Sequence, residues 1–368
     1  NVWINMAVKP KVIIVGSGII GASVALACQD LGADVTVLEQ GSLGGIASGN
    51  SFGWINASFA ENQAYFDLRK AALESFRALD QRLVLGDYIR WQGTLWWEDA
   101  GPDFVEQFRS LTLRGYPASI VDEDQIALLE PYLRQAPSKA ILTATEGAAQ
   151  AQKVALAVLA EVERNGGSVR GGVSLKRIEQ VTGRVCSVQT DAGNMACDVV
   201  VLATGAAAKH RLPGVDWKLP MANKKGMILK TNALPQVINH TLMTPDVHFR
   251  QNPDGSFTAG EIFSGEIDPN VDPMDLAVEI LDRIQVKLRD VPTLSLSAVN
   301  VGVRPVPLDG LPVIGEVPGV VGVFSAVMHS GVTLGPLVGH LLASEILQGV
   351  NCALLEPFRP SRFSEPVL

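Results

Sequence analysis

The stretch from Lys11 to Glu39 constrains the fold more than any other part of the chain. Lys11–Val15 (KVIIV) is a short, unbroken apolar run, the pattern of a strand covered on both faces. Gly16–Ser17–Gly18–Ile19–Ile20–Gly21 follows at once, then a helix-favouring segment from Ala22 to Asp30 and a second strand-like run, Ala33 to Glu39. A GxGxxG by itself says little. Set between a buried strand and a helix, with an acid 18 residues beyond Gly21 closing the second strand, it predicts a dinucleotide-binding βαβ unit. Gly16 allows the tight turn, Gly18 lets a diphosphate approach the backbone, and Gly21 lets helix and strand pack closely. The N–H groups at the helix start, those of Ile19 and Ile20 among them, stabilise the anion together with the helix dipole. Glu39, with Gln40 beside it, can accept both ribose hydroxyls, and its charge disfavours a 2′-phosphate.

Composition narrows the function classes. Thirty basic against 38 acidic side chains leave a net charge of −8, so a basic face for nucleic acid is not expected. With 47% hydrophobic and 18% charged residues the chain can bury a large core and is not disordered. Cys28, Cys186, Cys197 and Cys352 form no CxxC, and none of the five histidines lies in an HExxH pattern, so no metal site is expected. Scattered thiols fit a reducing compartment, hence an expected cytoplasmic location. Asn1–Asn5 precede Met6, the expected native start, and no basic start followed by an apolar run fits a secretory signal. Two uncharged stretches, Val12–Gln29 and Val317–Ser344, contain glycine and proline at positions that read as strand–loop–helix, so no transmembrane segment is expected.

Farther along, Phe66–Leu85 has helical apolar spacing. From Tyr88 to Ala140 the texture changes, with Trp91, Trp96 and Trp97 and several prolines, as in an insertion. Lys153–Asn165 reads as a helix, Ser174–Ile178 and Val185–Thr190 as strands, and Asp198–Ala203 as another buried strand. Asn252–Pro253–Asp254–Gly255 predicts a hairpin joining Asp246–Arg250 to Ser256–Gly260. A helix at Asp275–Arg289, strands at Val301–Pro305 and Val320–Ala326 and a last helix at Thr333–Leu347 follow; nothing repeats at a fixed period. Nucleotide-type elements near both ends and in the middle imply interleaved domains. Residues 10–87, 147–213 and 298–356 are assigned to a cofactor domain, and 88–146 and 214–297 to a second domain.

After Glu39 the chain does not continue in regular βα repeats. It runs through Ala47–Ser48–Gly49–Asn50–Ser51, then Gly53 and Trp54, a stretch of small and hydroxyl residues suited to a second approach to phosphate. Ala203–Thr204–Gly205 follows an apolar strand. Gly302–Val303–Arg304–Pro305, Asp309–Gly315 and Ser330–Gly331–Val332–Thr333–Leu334–Gly335–Pro336 complete the pattern. Taken in order, these motifs resemble the FAD-dependent D-amino-acid oxidase superfamily, in the branch with glycine oxidase and sarcosine oxidase.

The resemblance implies an α/β fold. A Rossmann-type FAD-binding domain would be interleaved with a smaller α+β substrate domain built on an antiparallel sheet. It also implies that Leu175 meets adenine through its backbone, that Ala47–Ser51, Gly53, Thr204 and Gly205 line the cofactor, and that Gly331–Thr333 face the flavin's pyrimidine edge. Trp54 would wall one flavin face. With no cysteine between Ala326 and Gly335, FAD is expected to be non-covalent. Arg304 would hold the substrate carboxylate by bidentate hydrogen bonds. His248, Glu261 and Phe263 would face the pocket, and His329 would contact the carboxylate or handle a proton. Each of these side chains also has a plain structural reading.

The implied activity is amine oxidation. A hydride passes from the Cα of glycine, an N-substituted glycine or a D-amino acid to flavin N5, and the imine hydrolyses to the oxo acid. The substrate is thus a small carboxylate-bearing amine, with O2 as the expected acceptor; a homo-oligomer stays open. Two alternatives remain at this point: oxidation of a 2-hydroxy acid on the same fold, or a flavin-carrying subunit of a hetero-oligomeric dehydrogenase.

Overall fold

The computed structural model describes residues 9–98, 101–210, 212–260 and 271–363. β1 (Lys11–Val15), α1 (Ile19–Asp30) and β2 (Asp34–Glu39) form the expected βαβ unit. A short α2 (Ile46–Gly49) and β3 (Trp54–Ile55) lead to α3 (Gln63–Leu83), whose first turn is capped by the Asn62 side chain accepting from the Tyr65 amide at 2.9 Å. Next come β4 (Ile89–Arg90), β5 (Thr94–Trp96), α4 (Pro102–Leu113), β6 (Ser119–Asp122), α5 (Glu123–Leu129), β7 (Lys139–Thr143) and β8 (Gly147–Ala149). α6 (Ala151–Arg164) and β9 (Ser168–Gly171) precede the meander β10 (Leu175–Val181), β11 (Arg184–Thr190) and β12 (Gly193–Ala196), and β13 (Val199–Leu202) returns to the first sheet.

β14 (Met221–Ala222), β15 (Lys225–Ala233), β16 (Thr241–Met243), β17 (His248–Gln251) and β18 (Ser256–Gly260) come next. α7 (Pro273–Lys287), β19 (Leu296–Val303), β20 (Val306–Pro307), β21 (Val313–Glu316), β22 (Val323–Val327) and α8 (Gly331–Gln348) follow.

Two main sheets organise these elements. The first has the order β21-β22-β13-β1-β2-β9, parallel except for the β21/β22 pair. Its strands are the fully apolar runs seen in the sequence, because helices cover them. The second has the order β19-β15-β18-β17-β16-β5-β7-β6, antiparallel except for β16 against β5. Residues 298–303, placed with the cofactor part in the sequence reading, pair instead with β15 in this second sheet, because the strand that ends at Val303 begins at Leu296. The predicted hairpin closes as expected: the Gly255 amide bonds the Asn252 carbonyl at 2.9 Å with Gly255 at φ 81°.

The two faces of the second sheet have different partners. Leu95, Leu242, Phe249, Ala259 and Leu229 pack with Ile280 and Ile284 of α7 in one core. Trp96, Met243 and Ile228 belong to the larger core built on α1, α3 and α8. This second face, which also carries His248 in register with Met243 and Gly260, is pressed against the nucleotide-type body. The two uncharged stretches resolve into β1 with α1 and β22 with α8. Among the described residues no single helix is long and apolar enough to cross a membrane; Gly331–Gln348 passes only jointly with Ala353–Phe363, bent by 107°.

Candidate active site

The glycines of the first turn are fixed by close backbone approach. Gly16 adopts φ 107°, and a Cβ there would lie 2.3 Å from the Ala203 carbonyl oxygen. A Cβ on Gly21 would lie 1.9 Å from the Gly16 carbonyl oxygen, so α1 and β1 meet only with glycine at that position. Gly18 has a second reason for being bare: the Cα of Gly45 and the Ser48 hydroxyl lie 3.8 and 3.2 Å from where its Cβ would stand. Ser48 Oγ accepts from the Ile19 amide at 3.0 Å, and Ser17 Oγ accepts from the Gly44 amide at 3.0 Å. The Ala47–Ser51 loop is thereby tied to the start of α1. Among the described residues no acceptor meets the amides of Gly18 and Ile20, which stay free to bind an anion at the helix dipole's positive end.

Glu39 ends β2, as predicted. Its Oε2 accepts from the Ser17 amide and hydroxyl at 3.0 and 2.9 Å, and its Oε1 from the Gly41 amide at 3.1 Å. The Val173 amide bonds the Glu39 carbonyl at 2.9 Å, which brings the start of β10 with Leu175 to the same strand end. Thr204 and Gly205 follow β13 directly, and the Thr204 amide borders Gly16. At the other side of the crevice α8 begins at Gly331, whose Cβ would lie 3.3 Å from Ile20. Ser330, Val332 and Thr333 thus share the first turn of a helix that points its positive end into the space beside α1. Asn50 lies against Gly302 of β19, 3.1 Å from where a Cβ would be.

Arg304 follows β19, its amide bonding the Lys224 carbonyl at 2.8 Å. Its guanidinium crosses Gly226 of β15, where a Cβ would stand 2.6 Å from Nε. His329, in the loop between β22 and α8, keeps an exposed surface although protein atoms crowd around it. Burial pushes its pKa down to about 4, with help from the charges of Arg304, Arg69 and Lys224. His248, by contrast, is only 2% exposed. Its Nε2 lies 3.3 Å from Glu98 Oε2. Burial works against ionisation of Glu98, but hydrogen bonds from His248 and Trp96 and the His248 charge outweigh it, and the Glu98 pKa is lowered. Glu261 and Phe263 lie outside the described residues.

Trp54 is half-buried. Its indole N–H donates to Thr94 Oγ1 at 3.0 Å and Glu146 Oε2 at 3.1 Å, and its ring packs on Phe59 at 5.6 Å between centroids. Its carbonyl accepts from Thr333 Oγ1 at 3.2 Å, and the same hydroxyl accepts from the Asn56 amide at 3.2 Å. Gly53, at φ 76°, stays bare because of the Ala149 carbonyl oxygen, 1.9 Å from an added Cβ.

Three functional candidates escaped the sequence reading. Arg69, 5% exposed, binds Asn56 and Phe59 oxygens and contributes to the field at His329. A charged residue on the apolar stripe of α3, between Leu68 and Ala72, was a visible signal for it. Lys224 and Glu146 carried none. A separate polar cleft of about 690 Å3, lined by Lys11, Asp30, Asp34 and Arg82, lies at the opposite ends of β1 and β2, away from these residues.

A parallel sheet with this glycine turn, an acidic strand end and a second helix N-terminus at one crevice defines a dinucleotide-dependent oxidoreductase, since such ligands bind at the carboxyl ends of the strands. The donors and the bare glycine backbone fit an adenine dinucleotide. The family model described as DAO, FAD dependent oxidoreductase, matches residues 11–345, and the chain belongs to that family, with FAD as its cofactor.

The chain is 27% identical over 269 residues to hydrogen cyanide synthase subunit HcnC of Pseudomonas aeruginosa, covering 71% of this chain and 61% of that one. The match thus spans about three fifths of that relative's length. Glycine oxidase of Geobacillus kaustophilus is 24% identical over 97% of this chain and 98% of its own. Its crystal structure superposes with a TM-score of 0.84 at 23% identity over 96% of this chain and 99% of that one. An L-amino acid deaminase from Proteus vulgaris, its specific insertion deleted, gives 0.86 at 18% identity, with 98% and 96% covered. The fold is shared with both structures.

Proposed function

We propose that the protein oxidises a small amino acid at its amine-bearing carbon: glycine, an N-substituted glycine or a D-amino acid. The observation that carries this reading is Arg304 laid across the bare backbone of Gly226 and near enough to His329 for its charge to lower that group's pKa. A guanidinium so placed can take a carboxylate in two parallel hydrogen bonds and so fix which hydrogen of the adjacent carbon faces the cofactor. His329, kept neutral at pH 7 by burial and its cationic neighbours, offers a ring nitrogen that can accept a hydrogen bond from the substrate amine without adding a further charge. Trp54 and Phe59 close one side with aromatic surface and exclude water. FAD, when bound without a covalent link, supplies the oxidising chemistry, taking a hydride from the substrate so that the resulting imine hydrolyses to the oxo acid. O2 is the proposed acceptor.

The name glycine oxidase borne by a relative matched over nearly its full length supports the reading. The HcnC match favours a second one, a flavin-carrying subunit in a hetero-oligomer. The test is anaerobic mixing of the yellow holoprotein with glycine, sarcosine, D-alanine and lactate. Bleaching by an amine, followed by peroxide formation in air, supports the proposal. Bleaching by lactate alone would replace it with hydroxy-acid oxidation, and bleaching by none would favour the subunit reading. Arg304→Ala is expected to keep its FAD while KM for the carboxylate substrate rises by the equivalent of about 2–5 kcal/mol. An unchanged KM removes Arg304 from the assignment.

A further inference from the structure

Glu146 is a buried acid that the proposed chemistry leaves unused. It is 0% exposed and sits in the turn between β7 and β8, where the second sheet meets the small sheet β3-β8-β4. Its Oε2 accepts from Thr143 Oγ1 at 2.9 Å and from the Trp54 indole N–H at 3.1 Å, and its Oε1 accepts from the Tyr116 hydroxyl at 2.9 Å. Each of these three donors is neutral. Burial, joined by the Glu146 charge and hydrogen bond, pushes the Tyr116 hydroxyl pKa far up, so Tyr116 remains a donor. A carboxyl group sunk among neutral donors is costly to desolvate and is kept only because those donors bond it.

What the carboxylate organises is the segment from Trp54 to Ala57. One end is held through the indole N–H. The other is held through Tyr116, whose oxygen accepts from the Ala57 amide at 3.3 Å. Between them Trp54 and Asn56 are bonded to Thr333, in the first turn of α8. The anion therefore sets where the indole stands relative to that helix end. The polar edge of the ring is sunk toward Glu146, while the side chain as a whole stays half-buried beside Phe59. An indole that donates to a carboxylate is polarised toward higher π-electron density, which strengthens stacking on an electron-poor ring system.

We propose that Glu146 is a positioning residue that holds Trp54 against the bound flavin and, through the indole hydrogen bond, lowers the flavin's reduction potential. This rests on Trp54 walling one flavin face, as the family resemblance implies, and does not depend on which substrate is oxidised. The test uses FAD-loaded protein without substrate and compares the parent with Glu146→Gln, Trp54→Phe and the double variant. Visible absorption, flavin fluorescence and reduction potential are measured.

Glu146→Gln and Trp54→Phe are each expected to shift the potential upward, weaken the long-wavelength absorption edge and brighten flavin fluorescence, and the double variant should go no further than either single one. A Glu146→Gln holoprotein that loses thermal stability but keeps the parental spectrum and potential overturns the proposal and leaves the acid a structural one. Should that variant not fold, Trp54→Phe decides alone, since its smaller ring keeps an aromatic face without the N–H: a parental spectrum and potential there also overturn it. Because none of these readouts needs turnover, they stand even if the amine panel fails.

Discussion

Gly339→Ala puts the packing of the cofactor crevice to a test whose sign alone is informative. Gly331, Gly335 and Gly339 lie on one face of α8, toward α1. At Gly339 an added Cβ would stand 2.6 Å from the Ser23 carbonyl oxygen and 2.7 Å from its carbon, against an ordinary contact of 3.4 Å, so the two helices must part by about 0.8 Å. Both obstructing atoms are backbone, and no rotamer change relieves them. Overpacking of this kind costs about 1–3 kcal/mol, and the obstruction argues for the upper part of that range. The change also gains about 1 kcal/mol of helix propensity. The expected net effect is a loss of about 1–2 kcal/mol. Urea unfolding of FAD-free protein is the assay, since added ligand would mask the loss by mass action. The same displacement moves Gly331 away from Ile20, so FAD affinity should fall as well. Gly86→Ala is the control, with nothing within 4 Å of its Cβ, and should be neutral or slightly stabilising. A Gly339→Ala protein as stable as its parent, or more so, refutes the close α1–α8 contact.

Other expectations follow from single side chains. Arg250→Met should cost roughly 3–5 kcal/mol in urea unfolding, because the Phe52 and Ala149 carbonyls, bonded at 2.7 and 2.9 Å, lose a buried donor. Glu39→Gln should weaken FAD binding by about tenfold, an estimate based on one charge-assisted hydrogen bond and measured by the fluorescence of released flavin; unchanged affinity would mean that Glu39 serves only Ser17 and Gly41. For His329 the folded pKa is depressed to about 4 from 6.5, by burial first and then by Arg304, Arg69 and Lys224. Within that window the unfolded chain binds more protons than the folded one, so stability falls as pH drops through it. His329→Gln should flatten the slope, read from urea midpoints at several pH values; an unaltered slope would place the proton uptake elsewhere.

The parts of the molecule legible in sequence are those whose constraint is local. The first turn is spelled out by Gly16, Gly18 and Gly21 because a Cβ at each would meet backbone or a hydroxyl within a few ångströms. The buried parallel strands show as continuous apolar runs, and the hairpin at Gly255 shows through its turn residues. Legibility fades where a residue's role is set by partners far along the chain. Sequence pattern assigns residues 298–303 of β19 to the cofactor part, because only the pairing with β15 decides that membership. Histidine chemistry marks His248 in the sequence, but its place beside Met243 and its contact with Glu98 come only from the register of the folded sheet. Arg69 was half-legible, as a charge on an apolar helical stripe.

Glu146 shows the limit most clearly. Its partners come from positions 54, 116 and 143, brought together by three different connections, and the turn that carries it reads like any other. A buried acid held by neutral donors has no sequence signature, because the cost of burying it is met by groups that each look ordinary where they stand. The glycine motif therefore predicts what the crevice binds. How the bound ring is oriented and tuned depends on a network formed only once both sheets are in place.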